Sequence, residues 1–210
     1  MRRKLNDTGR APSVVKANAG KRAGVDCHPF ITGERVYFRC MEEQDADSIY
    51  SDWLHDEEVT RYLTGVGRFP PTKEALRGYI REMTDSDHDA FFAVHDVKST
   101  EFIGTTHFGP IDWLHRIAAI GIMIGNKEYW GKGYGTEVIR LVLTYAFERL
   151  NLHKVTAGIA ADNTASVRAF KKAGFRVEGT AKAHFFINGK YCDWLYVGVL
   201  KDESLSHADR

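Results

Sequence analysis

Three glycines alternate with larger residues in the segment Tyr129-Trp-Gly-Lys-Gly-Tyr-Gly-Thr136. Glycine lets the backbone approach a ligand closely, and the first N–H groups of a following helix are unpaired donors at the positive end of its dipole. The spacing is neither that of a Walker A loop nor a good dinucleotide fingerprint. It predicts a backbone cradle for an anion, most naturally phosphate, with Lys132 adding charge. A tight turn that only caps a helix would use the same glycines.

A second candidate site lies in the predicted hairpin around Asn188–Gly189. A two-residue turn there would place His184 opposite Asp193 on one sheet face. A carboxylate beside an imidazole orients the ring and raises its basicity. His184–Asp193 is therefore the favoured general base, although a structural cross-strand pair or a water chain without a base would fit the same sequence. The rival residues are His107, Asp112 and His115.

Around these candidate residues, the sequence predicts alternating strands and helices. Residues 116–124 are apolar on both faces, which predicts a central strand covered on both sides. Ala119 and Gly121 are small, which leaves room for a ligand near the backbone. The predicted order, βα(α)βββαβαββ, is a mixed α/β layer fold with helices on both sides of one sheet. The strands are predicted at 34–40, 90–95, 101–108, 116–124, 154–160, 175–187 and 190–200, and the helices at 42–55, 56–62, 72–84, from the glycine segment to about 150, and 163–172.

Charge is distributed unevenly along the 210 residues, although the formal net charge is +1. Residues 1–24 contain seven Lys or Arg and one Asp, a net charge of +6, which leaves −5 for the rest. We predict a flexible basic extension over residues 1–28, one domain over 29–202, and a flexible tail over 203–210. A nucleic-acid-binding function is not indicated, because only the extension is basic.

Cysteine usage and hydropathy exclude several classes of protein. Cys27, Cys40 and Cys192 are odd in number and show no Cys-x-x-Cys spacing, which favours a reducing compartment and no zinc site. The longest apolar or glycine run, residues 117–125, is too short to span a membrane. We therefore expect a cytoplasmic protein with no metal and no membrane partner.

The glycine segment is followed, after a predicted helix and strand, by Asn163-x-x-Ser-x-x-x-Phe-Lys-Lys-x-Gly-Phe175. Over roughly residues 30–201 this arrangement resembles the GNAT superfamily of acetyl-CoA-dependent N-acetyltransferases. Further details, such as Asn188-Gly-Lys-Tyr-x-Asp193, resemble the branch of ribosomal-protein alanine and serine N-terminal acetyltransferases. The stretch from His184 to Tyr191 is also similar to polyamine acetyltransferases. The resemblance implies a mixed α/β (α+β) fold with one mostly antiparallel, splayed sheet and helices on both faces.

The resemblance also implies roles for individual residues. Loop amides would hold the pyrophosphate of acetyl-CoA, and a strand edge and Asn163 would bind its pantetheine arm. Asn163 would serve equally as a plain helix N-cap. The residues implied in cofactor binding are Ile122, Met123, Ile124, Trp130, Gly131, Lys132, Gly133, Tyr134, Gly135, Thr136, Asn163, Ser166 and Phe170.

Two landmarks of the family are replaced in this chain. Ala119 stands where many members have a glutamate base, and Phe170 where many have a tyrosine that protonates the leaving thiolate. Ser166 matches the serine assigned to the thiol side in the ribosomal-protein branch, although a capping hydroxyl would also fit. The predicted catalytic residues are therefore Ser166, His184 and Asp193.

The predicted function is acetyl transfer from acetyl-CoA to a primary amine by direct attack on the thioester. A protein N-terminus is the first acceptor considered, and the chain is expected to be a monomer or homodimer. The alternatives are a small amine (polyamine, amino sugar or aminoglycoside-like compound) and a non-catalytic acyl-CoA sensor. Residues 42–85 are rich in acids, which suits a cationic acceptor. Trp53, Tyr62, Trp113 and Phe186 are candidate pocket aromatics.

Overall fold

A computed structural model of the protein describes residues 29–63 and 71–205. The predicted extension, residues 1–28, and residues 206–210 of the predicted tail lie outside the described residues. A short helix, Lys201–Leu205, spans the predicted domain end at residue 202. Glu203 of this helix forms an ion pair of 2.9 Å with Arg176.

Every predicted strand and helix is present in the predicted order, with most bounds shifted by a few residues, and the structure adds a short first strand and a C-terminal helix that were not predicted. The strands are β1 (Ile31–Thr32), β2 (Val36–Cys40), β3 (Ala90–Asp96), β4 (Phe102–Phe108), β5 (Ile117–Ile124), β6 (Lys154–Ala160), β7 (Arg176–Ile187) and β8 (Lys190–Leu200). The helices are α1 (Ile49–His55), α2 (Glu57–Thr60), α3 (Lys73–Asp85), α4 (Tyr134–Thr144), α5 (Thr164–Lys172) and α6 (Lys201–Leu205). Short 3₁₀ turns cover Glu43–Asp47 and Lys127–Tyr129, and a π-helical turn, Tyr145–Arg149, extends α4.

The eight strands form one sheet in the order β1-β2-β3-β4-β5-β6-β8-β7. Every neighbouring pair is antiparallel except β5–β6, which is parallel. That parallel pairing stops at Ala119–Thr156, although β5 continues to Ile124 and β6 to Ala160. The predicted mixed, mostly antiparallel and splayed sheet is therefore confirmed, and the sheet opens into a gap between β5 and β6.

Helices cover both faces of the sheet, as predicted. Alternate residues of β3 enter two separate cores: Phe92 and Val94 pack on the α4–α5 side, and Phe91 and Ala93 on the α1–α3 side. Successive side chains of a strand point to opposite faces, so a strand buried on both faces must be apolar throughout. Full burial of each such side chain stabilises the fold by about 1.5–3 kcal/mol.

Local sequence fixes where most helices begin. The side chains of Ser48, Asp56, Thr72 and Asn163 accept hydrogen bonds from the first-turn N–H groups of α1, α2, α3 and α5. Helix α4 differs, because its N-cap is Gly133, which has no side chain to accept such a bond. The first N–H groups of α4 are therefore left for another acceptor.

The hairpin and the apolar content of the helices complete the architecture. Asn188 and Gly189 have φ angles of 49° and 77°, the left-handed conformation that a tight two-residue hairpin turn requires. The predicted hairpin of β7 and β8 is confirmed. Within residues 29–63 and 71–205, no helix is long and apolar enough to cross a membrane.

Trp53 joins α1 to the end of β5. A Cβ atom added at Gly125 would lie 2.0 Å from Cδ2 of the Trp53 indole, so the ring lies directly against the glycine backbone. The same indole packs edge-on to Phe102, with ring centroids 5.0 Å apart. The absence of a side chain at Gly125 is therefore a packing requirement of the α1–α3 core.

We predict that Gly125→Ala destabilises the protein by about 1–3 kcal/mol, because the added methyl group must displace the buried Trp53 ring. Gly78→Ala is the matched control, since Gly78 is exposed on α3 and an added Cβ meets no atom within 4 Å. The control is expected to raise stability by about 0.5–1 kcal/mol through its helix propensity. Urea unfolding measures both, and equal midpoints for Gly125→Ala and wild type would contradict the packing argument.

Candidate active site

The gap exposes one backbone edge of β5. Gly109 N donates to Ala119 O over 2.8 Å, so the odd-numbered residues of β5 hydrogen-bond to β4. Along a strand, successive residues direct their backbone N–H and C=O groups to opposite sides. Ile122 and Ile124 therefore direct theirs toward β6. β6 has already separated there. Met123 does not belong to this edge, contrary to prediction, because its backbone faces β4 and its side chain is buried.

Trp130 closes the far end of the exposed edge. Its indole Nε1 donates to Ile124 O over 2.7 Å, and the Lys127 ammonium lies 6.0 Å from the ring centroid. The carbonyl of Ile124 is thus satisfied within the protein, and the groups of Ile122 remain toward the gap. The sequence resemblance placed Trp130 among the cofactor residues but did not reveal this hydrogen bond.

The glycine segment forms the start of α4 beside the gap. Gly131 and Gly133 have φ angles of 71° and 87°, which only glycine adopts easily. The first N–H groups of α4, those of Tyr134 and the two residues after it, have no side-chain cap, and Lys132 is exposed next to them. Free amides at a positive helix end fit a pyrophosphate. The donor set therefore suits the diphosphate of coenzyme A.

Arg35 and Glu137 fix the position of the α4 N-terminus. The Glu137 carboxylate accepts hydrogen bonds from Arg35 N (2.6 Å) and Arg35 Nε (2.7 Å). The guanidinium also donates to Lys132 O over 3.0 Å and lies 4.6 Å from the Tyr134 ring centroid. The β1–β2 turn is thereby tied to the glycine segment. The sequence does not indicate this contact, because no local pattern brings Arg35 close to a residue about a hundred positions later.

Tyr134 is held by a second contact that the sequence did not indicate. Its hydroxyl donates to Asp96 Oδ1 over 2.8 Å at the end of β3. Burial alone would raise the pKa of Asp96, but hydrogen bonds from Ser99 and Tyr134 together hold that pKa below its usual value. Asp96 therefore remains ionised at neutral pH and keeps Tyr134 in place beside the loop.

On the other side of the gap, Asn163 and Ser166 begin α5. Asn163 Oδ1 accepts from Ser166 N over 3.1 Å, which makes Asn163 an N-cap. The Ser166 side chain is half-buried, and its hydroxyl makes no hydrogen bond within the described part of the chain. Phe170 is placed differently from the prediction. Its ring is 3% exposed and packs edge-on against Phe175 at 4.9 Å, so it belongs to the core instead of the cofactor lining.

The predicted pairing of His184 with Asp193 is wrong. The register near the turn is as expected, but a bulge within 181–185 shifts the strand at this point. Asp193 instead accepts from Ala183 N over 3.0 Å and forms an ion pair of 2.7 Å with Lys182. The Lys182 ammonium holds the pKa of Asp193 below its usual value. His184 is exposed, without a carboxylate to orient it within the described residues.

A glycine follows two residues after the last paired residue in both β5 and β6. The last pair is Ala119 with Thr156, and the glycines are Gly121 and Gly158. A Cβ atom at Gly158 would lie 2.4 Å from Trp194 Cζ2, whereas one at Gly121 would meet no atom within 4 Å. The gap therefore opens into free space above Gly121, bordered by the half-buried Trp194 indole.

Residues 42–85, the predicted acidic rim, carry less unpaired negative charge than their composition suggests. Asp45 pairs with Arg39 at 2.7 Å, Asp47 with Arg77 at 2.7 Å, and Asp56 with Lys127 at 2.7 Å. Each pair neutralises a carboxylate counted in the predicted acidic rim. Among the described residues, no group of three or more His, Cys, Asp or Glu side chains could hold a metal ion.

Comparison with known proteins identifies the family. Residues 35–176, more than half of the chain, match the family described as "Acetyltransferase (GNAT) domain". The chain belongs to the GNAT acetyltransferase family. Over 173 residues it is 31% identical to the uncharacterized N-acetyltransferase p20 of Bacillus licheniformis. This match covers 81% of the chain and 95% of that protein. The GNAT chain is thus an acetyl-CoA-dependent N-acetyltransferase.

Two further relatives are spermidine acetyltransferases. Spermidine N(1)-acetyltransferase of Vibrio cholerae is 34% identical over 118 residues, 56% of this chain and 67% of that enzyme. The structure of spermidine N-acetyltransferase from Vibrio cholerae in complex with CoA and spermine superposes with a TM-score of 0.73 at 27% identity, covering 81% of this GNAT chain and 98% of that one. The finer resemblance to the ribosomal-protein branch is not supported by these relatives.

We predict that Gly133→Ala weakens coenzyme A binding by about tenfold, because a side chain disfavours the left-handed N-cap that aims the α4 amides. Gly189→Ala is the matched control, since Gly189 also has a positive φ, 77°, but lies at the hairpin turn. Both variants should lose similar stability, and only Gly133→Ala should lose affinity in calorimetric titration with coenzyme A. Equal affinities for the two variants would show that the loop does not bind the diphosphate.

Proposed function

We propose that this GNAT enzyme acetylates a small cationic amine, of the linear polyamine class, by direct attack on the thioester of acetyl-CoA. The free space above Gly121, where the gap opens onto the α1–α3 face, is the main support for this proposal. An acetyl group held in the gap would be reached by an amine from this face. The similarity to spermidine acetyltransferases over 98% of the length of one of them supports the acceptor class.

A cavity on the same face has the chemistry that a second ammonium group requires. It has a volume of about 580 Å³, adjoins the end of β5 at Gly125, and has the aromatic rings of Trp53 and Phe102 in its wall. Asp56, Glu101 and Lys127 lie at its rim. The Asp56 carboxylate is paired with the Lys127 ammonium at 2.7 Å, so Glu101 is the rim carboxylate that would attract a ligand cation. Aromatic faces and carboxylates both attract ammonium ions. Gly121 and Gly125 are four residues apart on one strand, about 13 Å, which an extended linear triamine can span.

The residues proposed to hold acetyl-CoA come from both sides of the gap. The free N–H groups at the start of α4, with Lys132, would bind the diphosphate. The backbone of Ile122 would pair with the amide groups of the pantetheine arm, in the manner of an added strand. The side chain of Asn163 would bind the same arm from α5 while still capping the helix. Acetyl-CoA supplies the activated acetyl group, and these residues orient it.

The acceptor class is tested by thiol release from acetyl-CoA with a panel of amines. We expect kcat/KM for spermidine and spermine to exceed kcat/KM for an amino sugar, and for peptides beginning in Ala or Ser, by at least about tenfold. A flexible polycation fits the open cleft and is attracted by carboxylates. Added salt should raise KM for the polyamine by screening these charges.

A preference for the peptides would contradict the small-amine proposal and favour a protein N-terminus as acceptor. Binding of coenzyme A without turnover on any amine in the panel would contradict the proposed function as a whole. Mass spectrometry of the product identifies the acetylated nitrogen in each case.

Ser166 is proposed as the donor to the leaving thiolate. Its hydroxyl is half-buried, is free of partners within residues 29–63 and 71–205, and lies in the first turn of α5 beside the gap. We predict that Ser166→Ala lowers kcat by about 10²-fold, the scale of a general acid, with little change in KM for acetyl-CoA. Thr164→Ala, in the same turn, is the control and should keep wild-type kcat. An equal fall in both variants would point to helix capping as the role of Ser166.

A further inference from the structure

The reaction requires a group that takes a proton from the acceptor. An alkyl ammonium group, like that of lysine, has a pKa of roughly 10, so at neutral pH nearly every acceptor molecule arrives protonated and cannot attack. The glutamate that the family resemblance would supply is replaced by Ala119. The His184–Asp193 pair, the favoured candidate from sequence, does not form. The base must therefore be sought among other groups that border the open space above Gly121.

His107 borders that space. It is the cross-strand partner of Gly121 in β4, and residues directly opposite each other share one sheet face. The two Cα atoms of such a hydrogen-bonded pair are about 5.5 Å apart. The His107 ring also packs edge-on to Phe91 of the α1–α3 core, with centroids 6.3 Å apart, which confirms the face. Its side chain is 28% exposed, so an amine or a water molecule can reach it.

Asp89 orients the His107 ring. Its Oδ1 lies 2.9 Å from His107 Nε2, and its Oδ2 accepts a hydrogen bond from Ser86 Oγ over 2.8 Å. The carboxylate is therefore held from both oxygens, and its side chain is only 16% exposed. A carboxylate at Nε2 places the ring proton there and leaves a lone pair on Nδ1. Among the described residues nothing bonds to Nδ1. One ring nitrogen is therefore oriented by a carboxylate and the other can accept a proton, as a general base requires.

The phenol of Tyr79, which also lies near the pair, does not compete for this role. The Tyr79 ring of α3 packs edge-on to Phe91, with ring centroids 5.6 Å apart. Burial raises the pKa of Tyr79, and the nearby charges of Asp89 and Glu82 raise it further. The phenol therefore stays neutral at working pH, and Asp89 is the charged group in contact with His107.

We propose that His107 is the general base of this acetyltransferase and that Asp89 is the residue that positions it; the inference rests on the proposed acetylation of an amine. The ammonium group gives one proton to His107 Nδ1, directly or through one water molecule. The freed nitrogen lone pair forms the C–N bond at the thioester carbonyl, and the C–S bond then breaks. The leaving thiolate takes up the second amine proton through Ser166 or solvent, and His107 releases its proton to solvent. The products are the amide, coenzyme A as thiol, and one proton.

The similar pair His115–Asp112 serves as an internal comparison. Its atoms are equally close, 2.8 Å, but its side chains are 66% and 51% exposed. The pair precedes β5, at the end where β5 and β6 are still joined, so it lies away from the gap. His115→Gln is therefore a matched control for His107→Gln, because each variant removes an imidazole that contacts an aspartate.

The test is the pH dependence of kcat/KM for whichever amine the wild-type enzyme acetylates fastest, measured between about pH 6 and pH 10. We expect His107→Gln to lower kcat/KM by about 10²-fold near pH 7. The loss should shrink as the pH rises, because the acceptor then arrives deprotonated. His115→Gln should follow the wild-type profile, and both variants should bind coenzyme A with wild-type affinity, which shows that they are folded.

Asp89→Asn separates positioning from mere support of the fold. Removal of the charge leaves Nε2 without the carboxylate that fixes the ring and its proton, so kcat should fall while KM for the amine and the affinity for coenzyme A stay close to wild type. A fall in His107→Gln that is equal at every pH, no fall at all, or an unchanged kcat in Asp89→Asn would overturn the inference. Failure of the wild-type enzyme to acetylate any amine would overturn the proposed function and this inference together.

Discussion

The pairing of β5 with β6 is interrupted after Ala119 and Thr156, and this interruption creates the active-site gap. Backbone groups inside a sheet normally find partners, because a buried unpaired N–H or C=O is costly. Here the end of β5 has no partner strand on its β6 side among the described residues, and the Trp130 indole donates a hydrogen bond to the carbonyl of Ile124. Residues of α4 and α5 pack on one face of the sheet, and Trp53 lies against Gly125 on the other.

Contacts from residues outside the glycine segment hold the segment in place. Free helix amides bind an anion well only if they are already aimed at it, because ordering them on binding would subtract from affinity. Arg35 bonds to Glu137 and to the Lys132 carbonyl, and Asp96 holds the Tyr134 hydroxyl. Each of these contacts joins the segment to a strand of the N-terminal half of the sheet. Preorganisation of the loop is therefore supplied by β1–β3, elements that take no direct part in acetyl transfer.

Much of the fold follows from local sequence, and the site follows only in part. The apolar run of β5, the caps Thr72 and Asn163, and the Asn188–Gly189 turn each carry their own physical signal, and the structure bears them out. The register of His184 carried no such signal, because residues 182–184 are exposed and no burial fixes which residue faces which. A bulge there, in which Ala183 adopts a left-handed φ of 49°, breaks the predicted pairing of His184 with Asp193. Long-range pairs, such as His107 with Asp89 or Arg35 with Glu137, arise from tertiary packing that spacing in the sequence does not encode.

The order of the strands has a consequence for how the chain folds. The pairs β1–β2, β3–β4, β4–β5 and β7–β8 are joined by short loops, whereas β2 reaches β3 only through residues 41–89, which contain α1 to α3. The contact of β5 with β6 is parallel, consists of three residue pairs, and closes a loop that contains all of α4. Parallel pairing over a long connection is slow, because the loss of chain entropy precedes the gain in contacts. The junction that borders the active-site gap is therefore expected to form late, together with the β2–β3 junction, after the strands that are joined by short loops have paired.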